Sequence, residues 1–318
     1  MKTPREIQDE RFIALLKRQL GPEMLAALDD PKVMDVMVNA DGRVWLDLHG
    51  EGMVEAGFWL PPTQVEALIG TVAAGLGLVA DADHPIVEGE LQLNRIRFEG
   101  VLPGVVEAPI MALRKPAQFL YTLRDYVRDG ILKPEWADLL SEAVARKLSI
   151  VAVGGTGSGK TTLLSALINE MVERSAPNDR YLILEDTREI QCKAANVVYM
   201  RTNEAADLTR LVRATMRLHP IRIIVGETRG AEALAMLKAW LTGHPGGVTS
   251  VHAGSARGAL TRLSGLIQEA GVGPQPELIA ETVNLIALIE MTREGRRVTE
   301  LARLEGYSPQ NGFTVSPV

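Results

Sequence analysis

Apolar residues recur at helical spacing over roughly the first 30 positions, where Ile7, Phe12, Leu15, Leu16 and Leu20 share one face until Gly21-Pro22 interrupts the pattern. The period then shortens. Residues 33–38 read as a strand, Asn39-Ala40-Asp41-Gly42 as a turn and Val44-Trp45-Leu46 as the returning strand. A helix is expected from 63 to about 74, with further strands over 91–98 and near 110–113. Together these predict a smaller α+β domain over 1–115, built on local antiparallel pairing. Pro116 and Pro134 bracket a segment with Asp129-Gly130 inside it, so 116–134 is the expected interdomain linker.

Beyond it, over 135–318, strand and helix alternate, which is the pattern of a parallel-rich sheet with crossover helices and an α/β fold class. Strands are expected at 150–153, 181–184, 197–200, 221–225 and 247–251. Helices are expected at 161–172 and 231–240 among others. A hairpin pairs 285–291 with 298–304 across Arg293-Glu294-Gly295-Arg296, and 308–318 reads as a nearly unstructured tail.

Composition narrows the class. The chain has 318 residues, 46% hydrophobic and 23% charged, which suits a globular protein of two domains. The net charge of −6 argues against a whole-surface attraction to nucleic acid, and direct nucleic-acid binding is not expected. A single cysteine, Cys192, excludes an internal disulfide or multi-cysteine zinc site and suits a reducing compartment. It reads as a small buried apolar residue. Met1-Lys2-Thr3-Pro4-Arg5-Glu6 leads into no apolar signal core, and the most apolar stretch, 278–291, is broken by Glu281 and Asn284. A cytoplasmic location follows as the expectation, with any membrane association peripheral or through a partner.

Four segments carry chemistry. Gly154-Gly155-Thr156-Gly157-Ser158-Gly159-Lys160-Thr161 matches G-x-x-x-x-G-K-[ST] between an apolar strand and a helix. Its glycines let successive N–H groups turn inward onto phosphate oxygens at a helix N-terminus, where Thr162 follows. Lys160 can reach terminal phosphates and the Thr161 hydroxyl can bind Mg²⁺. This is the signature of a nucleotide site for ATP with Mg²⁺. Glu185-Asp186-Thr187-Arg188-Glu189 follows a strand on the same sheet edge, where its carboxylates can bind the metal or polarise water; alone, it is also a solvated acidic turn. Ile221-Arg222-Ile223-Ile224-Val225-Gly226-Glu227 has the Walker B arrangement, with Glu227 a metal-shell or water-positioning group or simply the end of a strand. Thr242-Gly243-His244-Pro245-Gly246-Gly247-Val248-Thr249-Ser250-Val251-His252-Ala253 places His252 where a γ-phosphate sensor would sit, and His244 in its loop.

In this order the four segments resemble the secretion-ATPase superfamily, which serves type II and type IV secretion, type IV pili and DNA conjugation. Within it they are most similar to the conjugal-transfer branch. The resemblance extends from Val33-Met34-Asp35-Val36-Met37-Val38-Asn39 to Ala259-Leu260-Thr261-Arg262-Leu263. It implies a RecA-like P-loop domain with an Asp-box at 185–189, a Walker B at 223–227 and a His-box at 243–252. A hexameric ring with nucleotide between the two domains is implied too, acting with inner-membrane secretion-channel components at the cytoplasmic face. Type II members usually carry a four-cysteine zinc module, which a chain with only Cys192 cannot build. Family arginines approach the phosphates from the first domain, and Arg97 and Arg114 occupy matching places, although both also read as surface arginines. Phe119-Leu120-Tyr121-Thr122-Leu123 is the candidate adenine pocket or else interdomain packing. Arg210, Arg213 and Arg217 share roughly one face of a helix over 206–218, a salt-bridged or intersubunit face with a trans-acting arginine as the alternative. Trp45, Trp59, Trp136 and Trp240 read as core or interface. Three rivals stay open: a RecA-like nucleic-acid motor, a type IV pilus or type II assembly ATPase, and a nucleotide-controlled scaffold with negligible turnover.

Overall fold

The computed structural model describes residues 4–318 except His49, Gln92, Asn94, 117–119 and Glu204, with side chains from Glu10 onward. Expectations placed on Asn94, Phe119 and the Ile7 side chain therefore lie outside the described residues. The chain divides into two compact units, Met1–Gln118 and Phe119–Val318.

In the first unit, α1 (Pro4–Asp29) breaks at Gly21, whose φ of +78° is the left-handed region that glycine tolerates. The strands β1 (Val33–Val38), β2 (Arg43–Leu48), β3 (Gly52–Trp59), β4 (Ile86–Glu90), β5 (Arg97–Val101) and β6 (Ile110–Arg114) form one antiparallel sheet in the order β3-β2-β1-β6-β5-β4. Alternation sends Val36, Val38, Phe98 and Leu113 to one face, where α1 and α2 (Pro62–Leu76) cover them with Leu16, Leu20, Leu68 and Ile69. Each such side chain removed from water contributes about 1.5–3 kcal/mol.

Of the strand expected over 91–98 only Arg97 and Phe98 belong to one, β5; Leu91, Leu93 and Ile96 lie in the turn between β4 and β5. Leu91 N–H donates to Ile96 O at 2.7 Å and Arg95 takes a φ of +57°, so the chain reverses there. The apolar residues that suggested a strand, Leu91, Leu93 and Ile96, are buried from within that turn.

The second unit contains α3 (Leu123–Arg128), α4 (Pro134–Ala145), α5 (Lys160–Arg174), α6 (Leu208–Thr215), α7 (Glu232–Leu241), α8 (Ala256–Gln268) and α9 (Pro276–Thr282). Its strands are β7 (Ile150–Val153), β8 (Arg180–Glu185), β9 (Asn196–Arg201), β10 (Arg222–Val225), β11 (Val248–Val251), β12 (Leu285–Thr292), β13 (Gly295–Ser308) and β14 (Gly312–Pro317). They form a sheet of order β14-β13-β12-β7-β11-β10-β8-β9, parallel from β12 to β9, with β13 and β14 added antiparallel. Both faces are covered. Val151, Leu182, Ile223 and Val251 pack under α6, α7 and α8, while Ile150, Tyr181, Ile224 and Val248 pack under α4 and α5. Two buried faces explain why these strands are apolar throughout rather than alternating.

The tail is not unstructured. Residues 312–317 pair with β13 as the edge strand β14, from Ser308↔Gly312 to Ala302↔Pro317. Pro317 at the edge costs no ladder hydrogen bond on the solvent side, and the polar composition that hid the strand is what an edge tolerates. Among the described residues no helix is long and apolar enough to cross a membrane.

Candidate functional site

Parallel strands deliver their carboxyl ends to one edge of the sheet. Here the four candidate segments follow four adjacent strands in the spatial order β7, β11, β10, β8. The phosphate loop follows β7, His252 follows β11, Glu227 follows β10, and Glu185 is the last residue of β8.

Gly159 caps α5 in the left-handed region at φ +101°, which turns the chain into the helix with its first N–H groups facing outward. A side chain added to Gly155 or Gly157 would meet nothing within 4 Å, so the loop is open at both positions. Ser158 is buried, and its hydroxyl has no partner. Lys160 folds back across the loop and donates from Nζ to the Gly155 carbonyl at 2.7 Å. An open cradle of amides, an orphaned hydroxyl and a lysine reaching over them fit a polyphosphate. Thr161 and Thr162 open the helix, half-buried.

Lys160, His252 and Glu227 meet. Lys160 Nζ lies 3.4 Å from His252 Nδ1, and His252 Nε2 lies 2.8 Å from Glu227 Oε1. Burial, with the Lys160 charge second, holds the His252 pKa below its ordinary value, so the ring is neutral at pH 7. A neutral ring that faces an ammonium through Nδ1 carries its proton on Nε2, toward the carboxylate. Lys160 is itself held below the usual lysine range, by burial first and then by Arg229, against the pull of Glu227.

Glu227 is clamped from its other side. Arg229 donates to Oε2 at 2.6 Å and lies 3.8 Å from Asp186, at the end of neighbouring β8. Burial pushes the Glu227 carboxyl up, but the Arg229 hydrogen bond and the nearby cations outweigh it and leave it low. Its Oε1 is buried, 2.8 Å from His252 Nε2 but with no well-aligned hydrogen bond. Sequence reasoning passed over Arg229. Its only signal was a cation two positions beyond the strand-terminal glutamate.

Glu185 is in a different state. It is 7% exposed, and burial raises its pKa to about 7, against two N–H donors, Glu189 and Ile190, at 3.0 and 2.9 Å to Oε1. Gly226 is glycine for this reason: a Cβ there would lie 2.8 Å from Glu185 Cγ.

Thr161, Glu185 and Glu227 are hard oxygen donors on one edge, but among the described residues no three His, Cys, Asp or Glu side chains form a metal cage. That set fits Mg²⁺, which takes one or two carboxylates and completes its octahedron with phosphate and water.

The remaining candidates lie elsewhere. His244 Nδ1 is 2.9 Å from the Pro220 carbonyl, a loop-holding contact. Arg210 reaches Ala205 O, whereas Arg213 is exposed and Arg217 lies past the end of α6. Tyr121 packs edge-on to Tyr126, with ring centroids 5.8 Å apart. Cys192 is half-buried, and burial pushes its thiol pKa up. Trp136 and Trp240 are buried, while Trp59 is 62% exposed. Arg97 and Arg114 belong to the first unit. They face each other across β5 and β6, in a row that continues to Asp35 on β1 and Glu90 on β4. Arg114 donates to Asp35 at 2.6 Å.

A conjugal transfer protein of Sinorhizobium fredii, probable TrbB, is 46% identical over 298 residues, covering 94% of this chain and 91% of that protein. The type IV secretion system protein VirB11 of Brucella suis is 30% identical over 287 residues, 78% of this chain and 76% of its own. The crystal structure of the ATPase DotB of Legionella pneumophila superposes with a TM-score of 0.63 at 24% identity, over 90% of this chain and 80% of that one, a likeness of fold. The profile of the type II/IV secretion system proteins matches residues 90–306, and the chain belongs to that family.

Proposed function

We propose that the chain hydrolyses ATP at the Lys160–His252–Glu227 edge and couples the cycle to transfer through a type IV secretion system of the conjugative kind. The observation that carries the chemistry is the meeting of these three side chains, from three separate segments, beside an open phosphate loop. The relatives named for conjugal transfer and type IV secretion support the setting.

The loop amides and the Lys160 ammonium hold the phosphates, and the lysine exchanges its Gly155 carbonyl for phosphate oxygen. Glu227 orients the attacking water. His252, touching both Lys160 and Glu227, is placed to register the terminal phosphate. Mg²⁺, held by the Thr161 hydroxyl and by Glu185 or Glu227 through water, would neutralise charge on the phosphates. Arg97 and Arg114 are proposed to add charge during phosphoryl transfer. A hexameric ring with peripheral attachment at the cytoplasmic face of the inner membrane completes the reading, and channel components there are the partners.

Steady-state phosphate release from the purified chain with ATP and Mg²⁺ tests the core of this. Lys160→Ala should remove nearly all turnover while circular dichroism stays unchanged, and EDTA should do the same to the wild type. Unchanged release from the lysine variant would remove the assignment.

A further inference from the structure

The phosphate loop has a second wall. β7 ends at Val153, opposite Leu288, but β12 runs on to Thr292 before the chain turns back into β13 at Gly295. The hairpin therefore overhangs the loop on the side of β7 away from β11 and His252. It touches the loop at both ends. A Cβ on Gly154 would collide with the Ile289 carbonyl, and one on Gly159 would lie 3.2 Å from Arg296 Cδ and 3.5 Å from its Nε.

Arg296 shares an unpartnered Nε with Arg180, Arg188 and Arg222 of this unit, but it is the one packed against the phosphate-loop glycine Gly159. It is half-buried, and its Nε is shielded from water without any hydrogen-bond acceptor. Its charge faces Tyr126, a buried phenol whose pKa is raised by that burial and opposed by Arg296, so it is no anion to pair with. A buried guanidinium N–H left without a partner is unfavourable, and a ligand oxygen that accepts from it would recover that cost. No carboxylate fills that role in the described structure.

Direction assigns the ligand. With Glu227 and His252 serving the terminal phosphate, as the ATPase reading has it, the opposite side of the loop is left for the nucleoside end of the nucleotide. We propose that Arg296 is a nucleotide-binding residue that pairs with the phosphate nearest the ribose, from the side opposite the hydrolytic groups. This deepens the ATPase reading and rests on it. ADP and ATP both present that phosphate, so Arg296 serves binding in both states and does not sense hydrolysis. Uniform binding of this kind appears in KM and leaves kcat alone.

Arg296→Met keeps the aliphatic stem against Gly159 and removes the charge. Calorimetric titration of the full chain with ADP and with the non-hydrolysable analogue AMP-PNP should show both weakened about tenfold or more, the scale of a lost charged hydrogen bond. KM for ATP should rise in step with the loss of affinity, while kcat stays within about twofold of the wild type. Arg296→Lys should recover part of the affinity, and Arg293→Met, exposed at the hairpin tip, should recover wild-type values throughout. Wild-type affinity in Arg296→Met overturns the proposal. So does a fall in kcat as large as the rise in KM, which marks a brace for the loop rather than a contact with nucleotide. Should the methionine variant fail to fold, Arg296→Lys decides alone: affinity equal to the wild type, or melting lowered with it, overturns the assignment. Wild-type protein that binds neither nucleotide removes the ATPase reading itself, and this proposal with it.

Discussion

Glu185 offers a test of the site that needs no turnover. Its carboxyl is 7% exposed and titrates at about 7, whereas the same group in an unfolded chain titrates near 4.5. A raised carboxyl pKa means that the folded state holds the proton more tightly than the unfolded one. Stability from this group is therefore complete below the unfolded value and declines as pH rises from there to the folded value. The gap between 4.5 and about 7 corresponds to about 3 kcal/mol lost between those two pH values, and level beyond. Glu185→Gln keeps a carbonyl oxygen for the Glu189 and Ile190 N–H groups and cannot ionise. Urea unfolding in EDTA without nucleotide, followed by the fluorescence of the buried Trp136 and Trp240, should give matching stabilities at pH 4.5. By pH 8 the glutamine variant should be the more stable by about 3 kcal/mol. Parallel pH profiles for the two proteins would refute the reasoning, because burial would then not be raising the carboxyl.

Other outcomes follow from the same geometry. Glu227→Gln should still bind ATP but release phosphate more slowly by ~10² or more; a variant that binds no nucleotide would make Glu227 an anchor for structure or metal instead. Light scattering should show a closed assembly once ATP and Mg²⁺ are present, and monomer at every protein concentration would argue against a ring. Arg97→Ala and Arg114→Ala should each lower kcat, together by up to ~10³, with lysine rescuing only in part. If they serve only the charged row on the first sheet, Arg114→Ala would cost at most about 1 kcal/mol of stability through its Asp35 pair, with kcat unchanged.

The phosphate loop was legible because its requirement is local. Four glycines, a lysine and a threonine at fixed spacing need only a strand before them and a helix after, and Ile150–Val153 and Lys160–Arg174 supply both. The strands under it were legible for a related reason, since burial on both faces makes each an uninterrupted apolar run. Edge strands lack that signal. β3 is exposed at every second residue and only partly covered at the others, and β14 pairs on one side only, so polar residues and glycines are tolerated and the run dissolves. The turn at 91–96 misled in the opposite sense, since its leucines and isoleucine point inward without belonging to a ladder.

What no local pattern carries is adjacency between strands. His252 and Glu227 are 25 residues apart in the chain, and Lys160 and His252 are 92 apart. They meet because β11 inserts between β7 and β10, an outcome of crossover connections packing helices on both faces. Arg229 illustrates the point further. In the sequence it is a loop cation past the end of a strand, a position where charge is ordinary. Once β10 lies beside β8, Asp186 and Glu227 emerge side by side, and an arginine two residues on spans both. The same cation that holds the Glu227 carboxyl ionised also occupies Oε2, while Oε1 faces His252, so the carboxylate is gripped from two neighbouring strands. Residue types in the four segments thus define which chemistry is possible, and strand order decides which groups perform it together.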